Sequence, residues 1–273
     1  MSQRPALLLS LLALPAGVVF LAFFLLPMAR LVLIGASGED GAAAYLSVLT
    51  TPRHLESMIA TVLLSLAVTL AAVAVSTVAG VFLVRHRFPG RSTLVSLLTF
   101  PLAFPGVVIG FLVILLAGRQ GLVGEVTKAL SGDKMVFAYS MAGLFVGYLY
   151  FSIPRVILTV MAAAEKLDPS LEEAARSLGA PPWRVVADVI LPALQPGLIA
   201  SGAICFATSM GAFGTAFTLA TNIDVLPMTI YTEFTLSANI AGAASLSVVL
   251  GLVTWAALAL ARNLSGSTVA ASG

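Results

Sequence analysis

The chain has 273 residues, of which 59% are hydrophobic and 10% charged, with a formal net charge of +2. A soluble domain carries about 25% charged residues, so the ionic surface is too small for a water-solvated globule, and the mean hydropathy of +1.06 agrees. The small net charge gives no footing for nucleic acid, the single cysteine, Cys205, excludes an internal disulfide, and His54 and His86 stand too far apart to suggest a metal site.

A bilayer core of roughly 30 Å requires about 20 apolar residues in a helix. Six runs meet this length: Ala6–Met28, Ser57–Val84, Ser92–Gly118, Met135–Pro154 with a continuation to Ala164, Val189–Ile223 and Phe234–Ala261. The predicted fold is an all-α membrane protein with six transmembrane helices. The first run, preceded by Arg4, is like a signal peptide but too long for one, and is read as an uncleaved anchor. Arg85, Arg87 and Arg91 crowd the link between spans two and three, which places that link in the cytoplasm. Six spans then put both termini and the link between spans four and five on the same side, with Arg4, Lys166, Arg176, Arg184 and Arg262. Gly35–Glu56, Arg119–Lys134 and Asn222–Glu233 become the outer loops.

Span three contains Phe100-Pro101-Leu102-Ala103-Phe104-Pro105-Gly106. Two prolines four residues apart remove amide donors and kink a helix, and freed backbone groups in a membrane must face protein or a watery cavity. Phe100, Pro101, Phe104 and Pro105 are therefore candidate lining of a solute path, with a plain packing kink as the alternative. Span five supplies Ser209, Met210, Phe213 and Thr215 to the same candidate path. Gly106 with Gly110, and Gly143 with Gly147, are small-residue pairs suited to close helix packing. Arg155 is a charge set within an apolar span. Two readings stand: a contact to an anionic solute, or snorkelling to the interface.

The segment from Glu165 to Gln195 is polar yet periodic. Asp168 suits an N-cap and Pro169 a first helical position; Ser170 with Glu173 offers an alternative capping box. Leu171, Ala174, Ala175 and Leu178 form one apolar stripe. Gly179 stands where a left-handed C-cap belongs. Pro181 and Pro182 open a second helix with Trp183, Val186, Ala187 and Ile190 at the same spacing, and Pro192 is expected to end it. The result is a helix–turn–helix elbow whose first arm is about 15 Å long, too short to cross a membrane.

Glu173-Ala174-Ala175, Gly179 and Val189-Ile190-Leu191-Pro192 together resemble the EAA signature of permease subunits of binding-protein-dependent ATP-binding-cassette importers, the MetI-like family. The family form has isoleucine where Val189 stands, and many members carry glutamate where Ala212 stands. The resemblance extends over the chain: a lone N-terminal span with its loop (1–56), a five-span permease domain (57–263) and a tail (264–273). It implies that the elbow docks on a cytoplasmic ATPase dimer. Glu173 and Arg176 would make polar contacts; Ala174, Ala175 and Gly179 would allow close approach; Leu171, Leu178 and Trp183 belong to the same surface. It also implies a second permease (homologous or identical), a periplasmic or lipid-anchored solute-binding protein meeting the outer loops, residence among the lipids of a bacterial inner membrane, and no cofactor. Gly118-Arg119-Gln120-Gly121 looks like a family element near the binding-protein contact. The likeness leans to the branch for polyamines or aminophosphonates, with iron, sulfate and thiamine importers as alternatives.

Two other classes fit less well. An ion-coupled secondary transporter usually needs acidic or histidine residues within its spans, and the six runs hold none. An intramembrane enzyme would need a metal-binding H-E-x-x-H or a nucleophile–base pair. No Gly-Lys dipeptide occurs, so there is no P-loop, and ATP hydrolysis is expected on another polypeptide.

Overall fold

A computed structural model describes residues 13–219 and 223–265. Among these residues the secondary structure is helical, without a strand. The helices are α1 (Ala13–Gly35), α2 (Gly41–Thr50), α3 (Pro52–Arg85), α4 (Arg91–Thr99), α5 (Gly106–Ala117), α6 (Leu122–Ser131), α7 (Met141–Glu165), α8 (Pro169–Ser177), α9 (Pro182–Met210), α10 (Gly214–Leu219), α11 (Leu226–Thr235) and α12 (Ile240–Ser265). Six apolar segments are long enough to cross a bilayer: α1, α3, the α5–α6 segment, α7, α9 and α12.

The span limits differ from the sequence reading at each place where tertiary chemistry intervenes. Residues 6–12 of the first run lie outside the described residues, and α1 continues beyond Met28 to Gly35. Span three is two helices rather than one. After α4 a 3₁₀ turn covers Phe100–Ala103, and Phe104 is extended (φ −93°, ψ 132°) because the Pro105 ring disfavours helical backbone in the residue before it. Pro105 then caps α5. Span six begins at Ile240, not Phe234. Ala238 adopts φ +52°, and Asn239 caps the new helix by accepting the Gly242 N–H at 2.9 Å. The outer segments expected as loops contain α2, α6 and α11. His54, expected in a loop, lies in the first turn of α3.

The described residues fall into two compact units, those within Met1–Glu56 and Thr229–Gly251, and those within Ser57–Met228 and Leu252–Gly273. In the first, the Tyr45 hydroxyl donates to the Val32 carbonyl and His54 Nε2 lies 3.9 Å from Glu233 Oε1. In the second, the core joins Leu64, Val68 and Ala72 of α3 to Val113 of α5, Leu144, Tyr148 and Val156 of α7, and Cys205 of α9. Cys205 is buried and free, a small apolar side chain in a packed helix face. The small-residue pairs are used inside the chain. A Cβ on Gly110 would stand 2.5 Å from Thr218 Cβ, and one on Gly147 would stand 2.8 Å from Thr215 Cγ2.

Candidate functional site

The elbow is built from local signals. Asp168 Oδ1 accepts the Ser170 N–H at 2.9 Å, satisfying one of the orphan donors at the start of α8. The same hydrogen bond holds its carboxyl below the usual carboxylate range. Pro169 occupies the first helical position, so the alternative start at Ser170 is unused. At the other end Gly179 has φ +83°. Its N–H donates to the Arg176 carbonyl at 2.9 Å, and the Ala180 N–H donates to the Ala175 carbonyl at 3.1 Å, the paired bonds of a Schellman motif. Extended Pro181 then delivers Pro182 to the first turn of α9.

The second arm does not stop at Pro192. It runs on as α9 to Met210, also moving the start of span five from Val189 to Pro182. The reason is a π-helical turn over Val185–Ile190, in which the Leu191 N–H reaches back five residues to the Val186 carbonyl. The widened register leads into Pro192, which has no N–H to satisfy, so the helix passes the proline without breaking. The end of α9 also precedes the expected Ile223: the chain turns at Gly211–Phe213 before α10.

The apolar stripe of the elbow faces outward. Leu178 is 89% exposed, Trp183 66% and Leu171 54%; Ala174, Glu173 and Arg176 are also exposed, Ala175 is half-buried, and Ile190 at the far end of the stripe is buried. The Arg184 guanidinium stacks over the Trp183 ring at 5.4 Å. The side of the elbow that packs on the chain carries Ala175, Val185 and Ile190, against Ala164 and Leu194 with Val81 and Val84 at the end of α3.

One residue on the packed side was not singled out by sequence. Glu172, not Glu173, is the buried acid, at 8% exposure. Its Oε1 accepts from Arg85 Nη2 of α3, and Arg176 Nη2 lies 3.7 Å from its other oxygen. The Arg85 and Glu172 side chains are 21% and 11% exposed. This pair ties the elbow to the end of span two. The only signal in the sequence was an acidic residue one position from the expected exposed one, with a basic cluster 87 residues upstream.

A cavity of about 290 Å³ lies where α5, α7, α9 and α10 meet. Of the eight residues expected on the path, Pro101, Phe104 and Thr215 line it. Pro105 supplies the α5 cap beside it. Ser209 and Met210 are buried, Phe213 is half-buried and Phe100 is exposed away from the lining. Arg155 is part of the wall, with Phe151 and Thr208. The wall is held by polar bonds between helices: Thr215 Oγ1 donates to the Gly106 carbonyl at 2.9 Å, Thr218 Oγ1 to the Val107 carbonyl at 3.3 Å, and the Tyr148 hydroxyl to the Ala212 carbonyl.

The model of a protein family described as binding-protein-dependent transport system inner membrane component matches residues 72–268. The chain belongs to this family. Among curated permeases, it is 38% identical over 196 residues to the molybdenum transport system permease protein ModB of Escherichia coli (strain K12), covering 69% of this chain and 85% of ModB. It is 34% identical over 220 residues to the sulfate transport system permease protein CysT of the same strain, covering 78% and 75%. It is 30% identical over 278 residues to the putative 2-aminoethylphosphonate transport system permease protein PhnU of Salmonella typhi, covering 97% and 94%. A bacterial alginate ABC transporter, solved in complex with an alginate pentasaccharide-bound periplasmic protein, shares the permease fold at a TM-score of 0.79 and 18% identity, over 96% of this chain and 95% of that one. This permease is thus a multi-pass inner-membrane component of an ATP-binding-cassette importer. It is not the ATPase; hydrolysis belongs to a separate subunit.

Proposed function

We propose that this permease forms, with a second permease, the path for a compact tetrahedral oxyanion handed over by a solute-binding protein, and that the elbow is its lever. The observation that carries the reading is the outward-facing stripe of Leu171, Leu178 and Trp183 on a rigidly capped turn. Exposed large apolar side chains beside exposed Glu173 and Arg176 form a compact docking surface for another protein. The ATPase dimer is the partner such an importer requires. In this reading α8 faces the cytoplasm, as do both termini, and the importer domain is the 57–263 segment following an N-terminal span with its loop.

The cargo class rests on the relatives, whose names record molybdenum, sulfate and 2-aminoethylphosphonate transport. Hexavalent molybdenum in neutral water, sulfate and the phosphonate group are all tetrahedral oxyanions. Of the two cargoes favoured by sequence, the aminophosphonate shares this chemistry and the polyamine does not; sulfate, an alternative there, shares it too. Co-expression with the cognate ATPase tests the lever. Leu178→Asp and Trp183→Ala should each lose the co-purifying ATPase and uptake of the oxyanion, while leaving the permease folded in the membrane. Retention of both activities by both variants would overturn the docking role.

A further inference from the structure

Arg155 is the one charged side chain on the wall of the cavity among the described residues. It lies ten residues before the end of α7 at Glu165, about 15 Å along the helix axis. A guanidinium at such depth is costly unless a partner or water compensates it. The ion pairs among the described residues use His54, Arg85, Lys134 and Arg176 as cations and leave Arg155 without a carboxylate. Its exposed side chain borders the same cavity as Gly106, Thr208 and Phe151.

The rest of the wall suits an anion. No aspartate or glutamate lines the cavity. Thr208 keeps its hydroxyl proton on its own helix, donating to the Ile204 and Cys205 carbonyls at 2.9 and 3.0 Å, and the first turn of α5 enters at Gly106. Two amides of that turn, those of Val108 and Ile109, are taken by the Pro105 carbonyl, and the helix end adds positive potential. The volume of about 290 Å³ is several times the ~30 Å³ that a water occupies in the liquid, so a small oxyanion can enter with part of its hydration shell.

We infer that the cavity is an oxyanion site on the translocation path and that Arg155 is its counter-ion. This rests on the oxyanion reading of the cargo. The guanidinium fork meets two oxygens of a tetrahedral oxyanion at once, offsetting the water the anion sheds on leaving the binding protein. The cavity is open on one side, so the anion is held only in passing, and a cationic cargo of similar size is repelled.

The test uses the whole importer in proteoliposomes: this permease with its partner permease, ATPase and binding protein. Uptake of sulfate, molybdate and 2-aminoethylphosphonate is measured for wild type, R155Q, R155K and the outward-facing control L115A. The expected result is at least a tenfold loss of oxyanion uptake in R155Q, a smaller loss in R155K because charge remains without the fork, and none in L115A. Wild-type uptake by R155Q overturns the site while leaving the cargo class standing. Failure of the wild-type importer to take up any of the three anions overturns the cargo reading itself. Should R155Q not assemble, R155K carries the test, since it keeps the charge and removes the fork. At least a threefold loss supports the site, and wild-type uptake in R155K overturns it.

Discussion

Removing the Glu172 carboxylate should loosen the elbow from the end of span two. The pair is only partly screened, with side-chain exposures of 11% for Glu172 and 21% for Arg85. A fully exposed ion pair contributes about 0–1 kcal/mol, and stripping one partner from a fully buried pair costs about 3–5 kcal/mol. The geometry lies between these limits, so Glu172→Ala should cost on the order of 2 kcal/mol. At about 1.4 kcal/mol per tenfold, the population in which α8 detaches from α3 rises about thirtyfold. Arg176 cannot take over, because it is a second cation beside the same carboxylate. Hydrogen exchange of the amides between 169 and 180 in a membrane mimetic reads this directly. Exchange should accelerate about thirtyfold in E172A and stay unchanged in E173A, whose side chain is exposed. The swap R85E/E172R should recover most of the protection. If the elbow is the proposed lever, transport per ATP hydrolysed should fall with it. Equal protection in wild type and E172A, or a larger effect of E173A, would refute the reasoning.

Two glycine predictions follow from opposite causes. Gly179→Ala meets no atom within 4 Å, but φ is +83°, so the cost is conformational alone, about 1–2 kcal/mol; G179N should cost less, and thermal unfolding with exchange at α8 checks both. Gly110→Ala is an overpacking case, because the new methyl would stand 2.5 Å from Thr218 Cβ. It should destabilise by about 1–3 kcal/mol and lower the thermal midpoint, whereas G251A, with open space around it, should not.

The elbow was legible because its signals are local. Asp168, Pro169, Gly179 and Pro182 each act on backbone within a few residues, and each sits where the sequence placed it. The six apolar segments were legible because bilayer thickness imposes a length on composition. What was hidden depends on distant partners. Glu172 and Glu173 are chemically identical, and adjacent positions on a helix point about 100° apart. Only Arg85, 87 residues earlier, decides which is buried. Pro192 was misread because a π turn changes the register before the proline arrives. Arg155 could be noticed in sequence but not assigned, since its destination depends on which helices close around it.

The central claim is that the elbow is gripped by the ATPase from the cytoplasm, and cross-linking tests it most directly. The single native cysteine, Cys205, is buried, so Leu178→Cys in a C205A background presents one exposed thiol at the tip of the elbow. Within the assembled importer, a short bifunctional reagent should join it to the ATPase subunit, and a membrane-impermeant maleimide should reach it only from the cytoplasmic side. Labelling from the periplasmic side, or no cross-link to the ATPase in an actively transporting complex, would contradict the account.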